Sequence, residues 1–358
     1  MVMDREELNL LLESAQRWFS DNNSFGARVT SFREGHRQTP EGWQALAEMG
    51  WLALPLTEAN GGFDADHAAR FALIRLAGEH VRPEALETHL LLAPAVVEVS
   101  PDQAEALATG AMRLGVADLP DRNGITADTL DGTCILSGRS GPVLGSQDAT
   151  HYVVFVRDAA GVLRAALLAA NAPGLSCEQA RLIDKRDTVL LTLDRTPGLW
   201  LDQADDVGAG QRLRDLVAAG QVADAAGVLE VGFNLTLDYL KQRTQFGRPL
   251  SQLQAVQHKM ADIFCDVKQM TALAERLAQE IDASPKGPWP TLPIAKAFVG
   301  RRAIRGMGQL IQLSGGIGVT EEYKITHLYR RLHVAATMFG AAEAQLARIG
   351  VRDVLQAA

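Results

Sequence analysis

Apolar residues recur at three- and four-residue intervals near the start of the chain, at Leu8, Leu11, Leu12, Ala15, Trp18 and Phe19. That stripe predicts an amphipathic helix. Thr39-Pro40-Glu41-Gly42 reads as the start of another, with Thr39 as cap and Pro40 as first helical residue. Gly50-Trp51-Leu52-Ala53-Leu54-Pro55 ends it, and Asn60-Gly61-Gly62 is a turn. From about residue 109 the period changes. Cys134-Ile135-Leu136-Ser137-Gly138 predicts a strand followed by a turn, and Tyr152–Val156, Leu163–Ala169 and Val189–Leu193 predict further strands. Short strands between Gly, Asp and Pro clusters point to a small β-barrel or sandwich. From Asp206 the helical period returns, over Gly220–Arg243, Leu253–Ile281, Thr291–Ser314 and Lys324–Val354, with a break at Ser284-Pro285-Lys286-Gly287-Pro288. The expected fold class is α+β, mainly α, with a helical domain over 1–108, a β domain over 109–205 and a helical domain over 206–358.

Composition narrows the class. The chain has 358 residues, 47% hydrophobic and 22% charged, an ordinary globular mix long enough for two or three domains. A formal net charge of -8 argues against nucleic acid as a partner. Cys134, Cys177 and Cys265 are scattered without a C-x-x-C, so neither a disulfide framework nor a zinc site is expected. His258, His327 and His333 have no H-x-x-x-H spacing, and structural or surface roles are expected of them, with no metal. No apolar run reaches the length of a membrane span. Asp4, Glu6 and Glu7 beside Met1 leave no basic n-region, so the expected setting is reducing and cytoplasmic.

Two segments carry candidate chemistry. Arg243-Thr244-Gln245-Phe246-Gly247-Arg248-Pro249-Leu250 joins two predicted helices and precedes Gln254-Ala255-Val256-Gln257-His258-Lys259-Met260-Ala261-Asp262. Gln312-Leu313-Ser314-Gly315-Gly316-Ile317-Gly318 ends another helix. A guanidinium fork suits a pyrophosphate, and a glycine turn lets backbone amides approach one. Taken singly, an Arg is usually a solvated surface charge and Gly-Gly a helix C-cap. In this order and spacing the two resemble the acyl-CoA dehydrogenase family, with its Arg-x-Gln-Phe-Gly-x-Pro turn, Gln-x-x-Gln-x-x-x-Ala-Asp run and Gln-x-x-Gly-Gly-x-Gly motif. Thr320-Glu321-Glu322 and the Asn60-Gly61-Gly62 loop continue the likeness, with Asn60 where Tyr is usual.

The resemblance implies three domains (N-terminal helical, middle β-barrel, C-terminal four-helix bundle), bound FAD, α,β-dehydrogenation of an acyl-CoA thioester and an electron-transfer flavoprotein as acceptor. It implies that Arg243, Gln245 and Phe246 contact FAD, with Gln312, Gly315 and Gly316 beside it. Both segments reach across a dimer interface in that family, to a flavin held mainly by the neighbouring subunit.

The departures are equally informative. Gly115-Val116-Ala117-Asp118-Leu119-Pro120-Asp121 stands where the family has Thr-Glu-Pro-x-x-Gly-Ser-Asp. Gly138-Arg139-Ser140-Gly141-Pro142-Val143-Leu144-Gly145 replaces Gly-x-Lys-x-Trp-Ile-Thr-Asn, so Pro142 takes the place of the flavin-packing aromatic and Leu144 that of the hydroxyl. Alignment at Arg330 puts Phe339 at the catalytic Glu position, and Val217 falls at the alternative one; neither takes a proton. Asp215 and Glu343 lie close by as displaced carboxylates. Segments given to a neighbour's flavin persist, whereas those for the chain's own flavin and base do not. The leading expectation is the small, non-catalytic subunit of an α2β2 enzyme resembling pimeloyl-CoA or steroid side-chain CoA dehydrogenases, with a catalytic partner subunit. Leu136–Arg139, Gln254–Asp262 and Met338-Phe339-Gly340 carry that likeness. A homo-oligomeric dehydrogenase with a relocated carboxylate stays open, as does a flavin-free CoA-thioester-binding or assembly protein. Retention of Arg243 with Gly315-Gly316 counts against the last.

Overall fold

Hydrogen bonding among the strands closes a sheet nearly on itself. In the computed structural model, which describes residues 5–22, 25–34, 41–118, 124–130, 132–146, 148–201 and 206–350, the strands are β1 (Leu114–Ala117), β2 (Ile125–Leu130), β3 (Thr133–Leu144), β4 (His151–Arg157), β5 (Leu163–Ala169), β6 (Leu175–Arg181) and β7 (Asp187–Trp200). Their order is β2-β3-β1-β4-β5-β7-β6, and an additional pairing joins β3 to β7, the strands next to the two ends. All pairs are antiparallel except β1–β4. Cys134, Leu136, Val143, Val154, Ala166, Leu168, Val189 and Leu191 fill the interior, the inward-facing half of the alternating pattern.

The turn expected after Gly138 is instead a bend within β3. The strand continues to Leu144, and its register against β7 shifts between Leu136 and Gly138 and again between Arg139 and Pro142. Gly138 has φ 131°, and a Cβ there would lie 1.9 Å from the Gly124 carbonyl oxygen. Such irregularities let one strand serve several partners and tolerate a proline.

Helices make up most of the rest: α1 (Arg5–Asp21), α2 (Phe25–Glu34), α3 (Glu41–Glu48), α4 (His67–Glu79), α5 (Leu86–Val99), α6 (Ala104–Ala108), α7 (Ala209–Gln242), α8 (Gln254–Ala283), α9 (Thr291–Phe298), α10 (Ile304–Ser314), α11 (Lys324–Thr337) and α12 (Ala342–Arg348). Thr39 and Pro40 of the expected helix start, Leu119–Asp121 of the expected loop and Val354 lie outside the described residues. The chain divides into two units that interleave along the sequence. One comprises 37–66 and 83–220 with the sheet, the other 4–36, 67–82 and 221–358 with most of the helices.

Four expectations need correction. α7 starts at Ala209, before the predicted Gly220, and it is long and apolar enough to cross a membrane, with 83% of its most apolar window buried inside the protein. The predicted Thr291–Ser314 helix contains a π turn at Val299–Ala303. The predicted Lys324–Val354 helix breaks over 338–341. Within the second unit, glycines set the approach of α4 to α7. A Cβ at Gly227 would fall 2.0 Å from the Arg75 carbonyl oxygen, and one at Gly78 2.5 Å from that of Asp224.

Candidate functional site

The turn after α7 is a tight hairpin. Thr244 pairs with Pro249 and Gln245 with Arg248, leaving Phe246 (φ 52°) and Gly247 (φ 75°) as the two central residues. Two successive left-handed residues make a type I′ turn, which favours Asn-Gly and not Phe-Gly. Phe246 is 87% exposed, so this chain holds a bulky side chain in a strained conformation and gives it nothing to pack on. Arg243 and Gln245 are also exposed, and the Leu250 amide closes the turn on the Arg243 carbonyl at 2.9 Å.

The glycine segment is built in a similar way. α10 ends at buried Ser314, and Gly315 follows with φ 67° and ψ -148°, a conformation open to glycine alone. Gly316 has no such need: a Cβ there would meet nothing within 4 Å. Gln312, Gly315 and Gly316 are exposed, with Val319 at 72% and Ile317 at 43%. The roots of the two segments meet. Tyr323 lies 6.2 Å, ring to ring, from Tyr239 one turn before Arg243, and its hydroxyl donates to the Leu235 carbonyl. Burial raises the Tyr323 pKa, a hydrogen bond from Ser314 opposing. Thus Arg243, Gln245, Phe246, Gln312, Gly315 and Gly316 project from one end of the helices. Their exposed donors and open glycine backbone are chemically suited to a pyrophosphate.

Phe339, which the sequence resemblance would place where a base is expected, lies in a held loop. Phe339 is fully buried with φ 57°. Lys296, itself buried, donates from Nζ to the Ala335 carbonyl at 2.5 Å and the Met338 carbonyl at 2.7 Å. Gln345 Nε2 donates to the Phe339 carbonyl at 3.3 Å. Gly300 in the π turn leaves room for Ala342, whose Cβ would sit 2.9 Å from an added one. Val217 is buried. Of the displaced carboxylates, Asp215 is buried and accepts a hydrogen bond from Gln211 at 2.9 Å. The Glu343 side chain is 76% exposed, 3.5 Å from Arg301.

In the first unit the two segments that depart from the expected motifs have partners within the unit. Asp118 accepts two hydrogen bonds from Arg214, at 2.6 and 3.0 Å. The Ser140 hydroxyl accepts from the Leu191 amide and donates to the Gly141 carbonyl, Arg139 pairs with Glu178, and Leu144 is buried. Leu144 and Gly145 line, with Trp43, Thr88, Arg113 and Arg186, a cavity of about 40 Å³. That space suits a few waters, not the ~300–1,000 Å³ site of a large ligand. Arg186 closes it, paired with Asp184 at 2.7 Å and Glu87 at 3.6 Å.

Several fixing interactions were invisible in sequence. Arg331, buried, meets Asp224 through two hydrogen bonds of 2.9 and 2.8 Å and also donates to the Arg82 carbonyl. Arg330 grips Glu321 at 3.0 and 2.5 Å, tying α11 to the glycine segment. Only distance in sequence hid these pairs. His333 packs edge-on against Tyr329, and its pKa is lowered by burial; His258 is exposed. Cys134 is buried, Cys177 and Cys265 are exposed, and all three are free thiols.

A family model described as acyl-CoA dehydrogenase, C-terminal domain, matches residues 216–352. Acyl-CoA dehydrogenase IpdE2 of Mycolicibacterium smegmatis is 31% identical over 153 residues, 43% of this chain and 46% of that protein, so the match spans about half of that relative's length. Acyl-CoA dehydrogenase FadE28 of Mycobacterium tuberculosis is 26% identical over 87% of this chain and 91% of its own length. A solved variant of the Tcur3481-Tcur3483 steroid ACAD superposes with a TM-score of 0.88 at 29% identity, over 98% of this chain and 99% of that one.

Proposed function

Because this chain belongs to the acyl-CoA dehydrogenase family of FAD-dependent oxidoreductases acting on CH–CH bonds, we propose that it is the subunit without a catalytic carboxylate in a heteromeric, α2β2 dehydrogenase. In this reading its chemistry is completed by a partner subunit that supplies the base and holds most of the flavin. The observation that supports it is an opposition within one chain: Phe339, expected at the base position from the sequence, is sealed in the core, while Arg243, Gln245, Gln312, Gly315 and Gly316 stand in solvent. FAD, where bound, supplies the hydride acceptor. Arg243 contributes fixed positive charge to its pyrophosphate, and the open backbone at Gly315 and Gly316 lets amides approach. Phe246, apolar and exposed, packs against the partner and keeps water from that edge.

The small cavity at Leu144 favours a first unit that carries no flavin of its own. The acyl group is a CoA thioester, with a steroid side chain as the first choice because the solved relative is described as a steroid ACAD. An electron-transfer flavoprotein is the acceptor. Domain limits of 1–108, 109–205 and 206–358 belong to the same proposal.

The test is flavin stoichiometry with and without co-expressed partner. Absorbance of the complex should give about one FAD per two chains, with little flavin on this chain alone. Asp215→Asn and Glu343→Gln should leave turnover of the complex unchanged. Full flavin occupancy and turnover of this chain alone would replace the proposal with a self-sufficient enzyme using a relocated carboxylate. A colourless complex would favour a flavin-free binding or assembly role.

A further inference from the structure

The segment carrying Gly315 and Gly316 is open on one side and tied to α11 on the other, by Arg330 on the Glu321 carboxylate, by the Thr326 hydroxyl on the Thr320 carbonyl at 3.1 Å, and by a buried histidine. His327, in the first turn of α11, is 1% exposed. Its Nε2 lies 3.0 Å from the Glu321 carbonyl oxygen and 3.3 Å from the Glu321 carboxylate. Both are acceptors, so Nε2 carries the hydrogen. Its Nδ1 lies 3.5 Å from Nε of Arg28 on α2, a group that can only donate. The two sides together dictate one form, a neutral imidazole protonated at Nε2.

Arg28 is anchored in turn. Its Nη1 donates to the Val81 carbonyl at 2.8 Å, and the Phe25 ring packs edge-on against His327 at 5.0 Å. The charged groups facing the imidazole are Arg28, Arg330 and Glu321. Burial foremost, then the guanidiniums, lower its pKa against the opposing pull of Glu321. Arg330 holds only the Glu321 carboxylate. His327 holds the Glu321 backbone carbonyl as well, next to the Thr320 carbonyl held by Thr326, and so helps set the course of the loop.

We propose that His327 is a positioning residue: Arg28 fixes its tautomer, and its Nε2–H fixes the 315–322 loop in the form that meets a partner subunit's flavin pyrophosphate. The use of the loop rests on the function proposed above; the way it is held does not.

Hydrogen exchange on the full chain and FAD titration of the co-expressed complex test it. His327→Leu should speed exchange of the 316–322 amides about tenfold and raise the FAD dissociation constant by a similar factor, the worth of one good hydrogen bond. Amides in the middle of α10 should be unmoved. His327→Gln, whose amide can still donate to Glu321, should restore both values to within about twofold. Arg28→Met should turn the imidazole 15N spectrum from a single Nε2–H tautomer into a mixture. The proposal is overturned if His327→Leu leaves loop exchange at its wild-type rate, or if His327→Gln fails to rescue. A wild-type complex without FAD removes the function proposed for the loop, while exchange in the isolated chain still decides the role of His327.

Discussion

Replacing Phe246 with Asn should make this chain more stable alone and less able to assemble. Phe246 occupies a left-handed position at φ 52° beside Gly247 at φ 75°, where an ordinary L-residue costs ~1–2 kcal/mol. Asn tolerates that region and completes the Asn-Gly pair that a type I′ turn favours. Relief of part of the strain should stabilise the isolated chain by about 0.5–1 kcal/mol. The ring is 87% exposed, so almost no packing is lost. In the proposed complex the sign reverses. Burial of a phenyl group contributes about 1.5–3 kcal/mol, so Phe246→Asn should weaken association with the flavin-loaded partner by about ten- to 150-fold. A urea midpoint on the chain alone and sedimentation of the complex in excess FAD give the two numbers. A lowered midpoint would show that Phe246 serves the chain's own fold. An unchanged association constant would show that the hairpin does not face the partner.

Other consequences are equally direct. Arg331→Met strands the buried carboxylate of Asp224 and should cost about 3–5 kcal/mol in chemical denaturation, with a strong coupling energy in the cycle with Asp224→Asn. Lys296→Met leaves two carbonyls at the end of α11 without a donor and should cost about 2–4 kcal/mol while speeding amide exchange over 338–341. The Glu79 pKa is raised from 4.5 to about 7, first by burial and then by Glu230, against Arg75 and Lys324. The folded state therefore keeps a proton that the unfolded chain releases. This contribution is full below pH 4.5 and lost as pH rises towards 7, by at most about 3 kcal/mol. Glu79→Gln should flatten that part of the stability–pH curve; an unchanged curve would refute it.

The hairpin and the glycine segment were legible because their chemistry is local: Gln-Phe-Gly and Gly-Gly are short runs whose backbone needs are written in adjacent residues. The long helices were legible from period. The first turns of α7 were not, because Gly208, Gly210 and Gly220 read as punctuation, although Gly210 and Gly220 would bring a Cβ within 2.3 and 2.7 Å of atoms packed on the helix. β6 escaped because Ser176-Cys177-Glu178-Gln179 is an exposed edge with no alternation to detect. The break over 338–341 hid inside a run that scans as helix, its one local mark being Gly340 at φ 102°, while the bonds that hold it come from Lys296, far away in sequence. Arg28 and His327 are 299 residues apart, and no spacing rule reaches that far.

The apolar side chains left in solvent on the two loops, Phe246, Ile317 and Val319, also bear on how the cell must supply this protein. In the proposed heteromeric assembly, a copy made in excess of its partner carries these side chains uncovered, and such surface invites aggregation and proteolytic removal. The level at which this chain accumulates should therefore follow that of the partner. Two subunits matched in this way would be best served by coupled synthesis, and in the cell an excess of one over the other should be turned over faster than the paired copies.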